Sequence, residues 1–333
     1  MVTALLSVEE LKTYFFTRRG VAKAVDGVSF ALRRGETLGL VGESGCGKSV
    51  TCLSILRLVP QPAGRIVGGK ILLEGENLLE KSETEMRRIR GGKVAMIPQS
   101  PMTALDPVFS IWSQLSETIK RHQKMPGKGV WETAVTSLRE VKIPSPEVRL
   151  RSYPHQLSGG MRQRVIGAMA LACQASLIIA DEPTTALDVT IQAQYLSLLR
   201  RMRDHLHAGM IFVTHDLGIV KRMCDRVAVM YAGKIVEEAP VKAIFQSPQH
   251  PYTMALIKSV PRLDTKVGRL ASIEGHPPPL FDLPAGCAFR PRCSEATEAC
   301  DVIPLRQEIE QGHWVSCHLV RGTGDKRRYA NIA

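Results

Sequence analysis

Aromatic side chains make up only 5% of the 333 residues, and no basic stretch is interleaved with them. That weakens a nucleic-acid-binding reading, because single strands are gripped by aromatic rings set among cations. No run reaches the ~18 apolar residues that point to a membrane-spanning helix. The longest mostly apolar region, Ile166 to Ala180, is broken by Gln174 and Ser176. The opening Met1 to Leu6 is too short for a secretory signal and lacks a basic leader, so a cytosolic chain is expected. Internal repeats are also missing, which excludes one unit fused in tandem. Acidic residues are outnumbered, 32 against 44 Lys and Arg, for a formal charge of +12. Such an excess suits either nucleic acid or work beside anionic lipid and phosphate. Its scatter over Arg18-Arg19, Arg33-Arg34, Arg87-Arg88, Arg200-Arg201 and Lys326-Arg327-Arg328 reads as solvated surface.

What is present is more specific. Gly42-Glu43-Ser44-Gly45-Cys46-Gly47-Lys48-Ser49 has the spacing G-x-x-x-x-G-K-S/T. It follows the apolar run Thr37 to Val41 and precedes a helical pattern at Val50, Leu53, Ile55 and Leu56, so it lies where a strand turns into a helix. Glycines there let backbone N–H groups approach phosphates, the helix start favours anions, Lys48 reaches the β- and γ-phosphates, and Ser49 can ligand Mg²⁺. The expected contacts to nucleotide are Gly42, Ser44, Gly45, Cys46, Gly47, Lys48, Ser49 and Val50.

A second constellation lies downstream. Leu177 to Ala180 form a buried-strand run that delivers Asp181 and Glu182 at its end. Asp181 is expected to hold Mg²⁺ through water, and Glu182 to orient or deprotonate the attacking water. Asp188 follows one loop later, within Thr185-Ala186-Leu187-Asp188. His215 ends the run Met210 to Thr214 and is placed to reach a γ-phosphate oxygen. Gln99 ends the run Val94 to Pro98, with an amide able to touch Mg²⁺ or the lytic water. Together these residues point to an ATPase.

Strand-like runs at Val28–Leu32, Thr37–Val41, Lys70–Leu73, Lys93–Pro98, Ser176–Asp181, Met210–Thr214 and Arg226–Tyr231 alternate with helical patterns, as in an α/β domain with a largely parallel sheet. Between Ile111 and Leu171 the pattern is helical, with Ile111, Leu115, Ile119, then Trp131, Val135, Leu138, Val141. After Pro240 the texture becomes rich in proline and carries four cysteines, so a small loop-rich appendage is expected.

Leu157-Ser158-Gly159-Gly160-Met161-Arg162-Gln163-Arg164 resembles the signature segment of the nucleotide-binding subunits of ABC transporters. The resemblance implies a phosphate-loop ATPase with a RecA-like core, an antiparallel β subdomain and a helical subdomain at about 100–172. The ATPase part would span 1–240, with a Cys-rich extension over 241–333. It also implies two nucleotides sandwiched between two ATPase subunits. Ser158, Gly159, Gly160 and Gln163 of one subunit would meet the nucleotide on the other's phosphate loop, and Asp188 would lie in the D-loop. Gln99 and His215 fall at the family's Q-loop and H-loop. An aromatic ring on adenine is implied as well; Phe15, four residues after Leu11, matches the spacing, with Tyr14 and Phe16 as rivals. Mg²⁺ would be held by Ser49, Gln99 and Asp181.

The tail narrows the resemblance. His250-Pro251-Tyr252-Thr253, Gly286-Cys287, Pro291-Arg292-Cys293, Cys300 and Cys317-His318 look like the extension of oligopeptide and dipeptide importer ATPases. That implies peptide cargo, two transmembrane permease subunits, a second ABC ATPase subunit, an extracytoplasmic solute-binding protein and a peripheral place on the cytoplasmic face of the inner membrane. No nucleic-acid partner is expected. Related importers carry nickel, opines or sugars, and a soluble ABC ATPase acting on nucleic acid or ribosomes is the reading from another class. Cys287, Cys293, Cys300 and Cys317 have the spacing C-x5-C-x6-C-x16-C, which lacks the close pairs of zinc knuckles. Thiolate-only ligation at that spacing suits an iron–sulfur cluster, and the resemblance to the peptide-importer extension implies one of the 4Fe–4S type, with Zn²⁺ or unligated thiols as alternatives.

Overall fold

The computed structural model describes residues 4–260 and 273–320, apart from Lys124 and Ala186. Met1 to Thr3, the basic run Lys326-Arg327-Arg328 and Ala186 of the loop before Asp188 lie outside the described residues. The chain divides into two compact units, one of Met1–Leu5, Leu32–Glu36 and Glu80–Val213, the other of Leu6–Ala31, Thr37–Leu79 and Thr214–Ala333.

In the first unit the strand Leu177–Asp181 runs parallel to Val94–Ile97 on one side and to Gly209–Thr214 on the other, with Ile178 opposite Ala95 and Met210. Every residue of Leu177–Asp181 and of Gly209–Thr214 is buried. Continuous apolar runs of this kind are what parallel strands covered on both faces require. The helical stretch divides into Ile111–His122, Gly127–Glu140, Pro146–Leu150 and Gly159–Ala172. Ile111, Leu115 and Ile119 on the first, and Val135 and Leu138 on the second, are buried at the spacing of one helix face. Trp112 and Trp131 meet edge to face, 4.9 Å between centroids, pinning these two helices together.

In the second unit a four-stranded sheet has the order Gly20–Leu32, Leu6–Thr17, Gly64–Leu73, Glu76–Asn77. Leu6–Thr17 and Gly64–Leu73 pair antiparallel, with a register shift after Glu9, where Glu10 adopts φ 46°. Another set of strands joins Thr37–Val41 in parallel to Arg226–Tyr231, which pairs antiparallel with Lys234–Pro240. The hairpin Gln307–Glu310 and His313–Val315 then adds to Lys234–Pro240, with Val315 opposite Glu237. Antiparallel sheet, parallel strands and helical part agree with the mixed α/β phosphate-loop architecture implied by the resemblance.

Lys234–Pro240 and the hairpin beyond it were not among the strands read from the sequence. Glu237 and Glu238 break the apolar run, yet both side chains are buried. Each carboxylate is satisfied individually. Glu237 accepts from the backbone N–H groups of Gln249 (2.8 Å) and His250 (2.9 Å) and pairs with His313 Nε2 at 2.8 Å. Glu238 is paired with both Arg226 and Arg306. A buried charge left without such partners would be strongly destabilising, so later segments that return to this strand help to hold it.

Candidate nucleotide site

The phosphate loop joins the strand Thr37–Val41 to the helix Lys48–Ile55 in the second unit. Gly47 sits at φ 110°, where a side chain's Cβ would overlap the carbonyl oxygen of Ala24. A Cβ on Gly42 would likewise strike the Met230 carbonyl. Only glycine allows the loop to lie this close to its neighbours. Lys48 is 5% exposed, and its Nζ donates to the carbonyls of Gly42 (2.7 Å) and Glu43 (2.9 Å) and lies 3.7 Å from Cys46 Sγ. A buried ammonium held by loop carbonyls is the arrangement that anionic phosphate oxygens complete, so the loop fits a nucleotide. Ser44 and Gly45 form the exposed tip, Ser49 and Val50 are half-buried on the helix, and burial pushes the Cys46 thiol up. His215 is exposed in this unit, next to Asp216, whose Oδ1 accepts from the N–H of Gly218 at 2.7 Å and caps the helix Leu217–Met223.

The first unit carries the carboxylates. Asp181 is buried at the end of its strand, and Glu182 follows with φ 44°, a conformation uncommon outside glycine. The strain is held in place by bonds on both sides. The Glu182 N–H donates to the Val213 carbonyl at 3.0 Å, while its Oε2 accepts from Gln99 Nε2 (2.9 Å) and Thr185 Oγ1 (3.1 Å). Gln99 and Glu182, 83 positions apart in sequence, are thus brought into direct contact.

The signature segment starts the helix Gly159–Ala172, and the Ser158 hydroxyl accepts from the Met161 N–H at 3.3 Å as its cap. Ser158 and Gly159 are exposed, and Gly160 packs under Ile191. Gln163 is buried and its Nε2 donates to the Pro183 carbonyl at 2.9 Å, which ties the signature helix to the turn just after Glu182. Asp188 caps the helix Val189–Leu206 through a 2.9 Å bond from the Ile191 N–H.

The three candidate aromatics of Leu6–Thr17 have different surroundings. The Tyr14 hydroxyl donates to Asp26 at 2.6 Å, and burial together with that carboxylate pushes its pKa up to about 12. Phe15 is half-buried opposite Gly64, and exposed Phe16 lies under the Arg65 guanidinium, 5.6 Å from ring centroid to Cζ.

The expected metal in the tail is corrected by the structure. Among the described residues no group of three or more His, Cys, Asp or Glu side chains is arranged to hold a metal ion, so Cys287, Cys293, Cys300 and Cys317 form neither a 4Fe–4S site nor a Zn²⁺ site. Metal ligation needs thiolates, and here burial pushes the thiols the other way, Cys287 upward and Cys317 to about 11. Cys300 instead meets the Thr297 hydroxyl at 3.8 Å, and Cys317 Sγ accepts from the Leu319 N–H at 3.5 Å. Irregular cysteine spacing was the signal that misled.

What holds the tail is a cluster the sequence reading passed over. Tyr231, Tyr252 and Phe289 pack ring to ring at 4.6 to 5.3 Å, and Arg292 beside them pairs with Glu43 of the phosphate loop. The segments containing Tyr252 and Arg292 drew attention only as features of the importer extension. Thr185, which supports Glu182, carried no signal of its own.

Comparison with known proteins agrees with this geometry. A family described as ABC transporter matches residues 25–185, and one described as the oligopeptide/dipeptide transporter C-terminal region matches residues 236–300. A probable peptide ABC transporter ATP-binding protein of Sinorhizobium fredii is 50% identical over 315 residues, 94% of each chain. A dipeptide transport ATP-binding protein of Bacillus subtilis is 49% identical over 316 residues, 95% of this chain and 94% of the relative. Among solved structures, a dimeric ATP-binding cassette bound to ADP and phosphate shares the fold at TM-score 0.64 and 23% identity, covering 71% of this chain and 98% of that one. An ABC transporter component of Clostridium perfringens gives TM-score 0.62 at 26% identity, covering 73% and 91%. Given this likeness along almost its whole length, the chain belongs to the ABC transporter family of ATPases.

Proposed function

We propose that this chain powers the import of peptides by binding and hydrolysing ATP while separate membrane-spanning subunits form the path. The observation that carries the reading is the oligopeptide/dipeptide transporter region at residues 236–300, in a chain half identical to a peptide-transport relative over 94% of its length. No described helix is long and apolar enough to cross a membrane, and in this reading the path is formed by other polypeptides. The partners are two permeases, a second ABC ATPase subunit and an extracytoplasmic solute-binding protein, and the chain sits peripherally on the cytoplasmic face of the membrane.

In this reading the loop Gly42 to Ser49, with Val50, cradles the phosphates, Lys48 neutralises their charge, and Phe15 stacks on adenine. Hydroxyl, amide and carboxylate oxygens of Ser49, Gln99 and Asp181 are hard donors suited to Mg²⁺, which when bound neutralises charge developing on the transferred phosphoryl group. Glu182 takes the proton of the attacking water, in a position its bonds from Gln99 and Thr185 support. His215 steadies the γ-phosphate. Ser158, Gly159, Gly160 and Gln163 of one subunit close over the nucleotide of the other, with Asp188 beside them. The catalytic part extends to about Pro240, with its helical portion near 100–172, and the extension follows from 241.

Two measurements test the reading. Glu182→Gln is expected to retain ATP affinity while lowering turnover by about a thousandfold, with the ATP-bound dimer accumulating in light scattering. Full ATPase activity in that variant would remove Glu182 from the role. Detergent-solubilised membranes should yield the chain together with two permeases and a second ATPase, and reconstituted vesicles should take up labelled peptide only with ATP. Recovery of the chain alone, with no transport, would sink the importer assignment.

A further inference from the structure

The phosphate loop is bonded to the C-terminal extension as well as to its own strand and helix. Arg292, 249 positions downstream of Glu43, grips that carboxylate with two donors, Nη1 to Oε2 at 2.7 Å and Nη2 to Oε1 at 3.0 Å. Its side chain is 3% exposed, and the guanidinium is occupied on its other sides. Nε donates to the Glu274 carbonyl at 2.9 Å, Nη2 approaches the Ile273 carbonyl at 3.4 Å, and Nη1 lies 3.4 Å from the Tyr231 hydroxyl. The rings of Tyr231 and Phe289 each lie 5.9 Å from Cζ. A second bond from the extension reaches the same loop residue through its backbone: the Glu43 N–H donates to the Tyr252 hydroxyl at 2.8 Å. Glu43 therefore has its side chain held by Arg292 and its amide held by Tyr252, while its carbonyl accepts from Lys48 Nζ at 2.9 Å.

That geometry has a consequence for the loop. Glu43 is the residue on which the chain leaves Gly42 and turns into the cradle, and its carbonyl is one of the two that orient the Lys48 ammonium. A bidentate guanidinium–carboxylate pair fixes direction as well as distance. We propose that the C-terminal extension sets the phosphate loop for nucleotide, with Arg292 as a positioning residue acting through Glu43 and Tyr252 as its backbone counterpart. The inference rests on the reading of the loop as the ATP site and adds to it a dependence on a segment outside the ATPase core.

The test uses the full-length chain and equilibrium binding of a fluorescent ATP analogue. Arg292→Gln is expected to weaken binding about tenfold, Arg292→Lys about threefold because one ammonium can still reach one oxygen, and Tyr252→Phe about threefold. In a double-mutant cycle, Arg292→Gln with Glu43→Gln should be no weaker than the worse single variant, since both break one link. Arg306→Met loosens the same extension without touching Glu43 and should bind as wild type. The proposal is overturned if folded Arg292→Gln binds within twofold of wild type, or if Arg306→Met weakens binding equally, which would make the effect one of general stability. Should Arg292→Gln fail to fold, Tyr252→Phe and Glu43→Gln carry the test, and wild-type affinity in both overturns it. A wild-type chain that binds no nucleotide would sink the ATPase reading instead.

Discussion

His250 shows how one side chain can make a fold sensitive to acid. Its Nδ1 accepts from the Tyr252 N–H at 3.0 Å, capping the helix Pro251–Lys258, with Phe289 5.9 Å away and Glu237 bonded to its backbone. Burial pulls its pKa from 6.5 down to about 4, against a smaller upward pull from Glu237. An unfolded chain takes up a proton on this residue below pH ~6.5, whereas the folded chain resists until pH ~4. Stability is therefore fully present above that window and drains away as pH falls through it, by ~2 kcal/mol at pH 5. His250→Asn keeps a side-chain acceptor for the helix start and removes the titration. Melting temperatures measured from pH 7 to pH 5 should fall less steeply for the variant, and parallel curves would show that His250 is not the group responsible. At the same scale, Glu182 was legible from its place after an apolar run, but its φ of 44° and its bonds from Gln99 and Thr185 were not.

Among the elements, the strand Lys234–Pro240 contrasts with Leu177–Asp181. The latter announces itself, because a run of apolar residues ending in two carboxylates has one reasonable structure. Lys234–Pro240 reads as a polar connection until the partners of its two glutamates are known. Arg306 is one of them: it pairs with Glu238 at 2.6 Å, donates to the Ser29 carbonyl at 2.6 Å and lies over Trp314. Replacing it with Met leaves a buried carboxylate with Arg226 as its remaining partner. Arg306→Met is expected to cost ~3 kcal/mol, read as a lower urea midpoint with unchanged slope. A loss under ~0.5 kcal/mol would mean that Arg226 alone satisfies the group. The helices of residues 111–172 were legible for the opposite reason: their apolar positions recur on one face, and Trp112 and Trp131 only lock what the periodicity already implied.

For the whole molecule, the extension is structurally committed to what precedes it. Glu237 depends on Gln249, His250 and His313, and Glu238 depends on Arg306, all from beyond Pro240. A chain ending at Pro240 would remove the Gln249, His250 and His313 partners of Glu237, leave Glu238 with Arg226 and without Arg306, and uncover the sheet edge that the hairpin Gln307–Glu310 and His313–Val315 closes. We expect this truncation to lose at least ~90% of its soluble yield relative to the full chain, through the loss of buried ion-pair partners. A soluble truncation with native far-UV dichroism would show that the ATPase part tolerates the loss. Four cysteines in the tail suggested a metal staple, and the structure holds the same region with ring packing and guanidinium pairs instead.

By itself the sequence determined what rests on short-range chemistry: the phosphate loop, the strand end bearing Asp181 and Glu182, the signature segment and the alternation of strand and helix. These depend on backbone freedom and apolar spacing within about ten residues, which are written locally. Tertiary structure alone decided which distant charges meet. Whether Glu237 and Glu238 lie in a strand or a solvated loop, and whether Glu43 points into water or onto Arg292, depends on segments tens to hundreds of residues away. Pairing of buried charge leaves no local periodicity to read, because the energy of each group is set by a partner that only folding supplies.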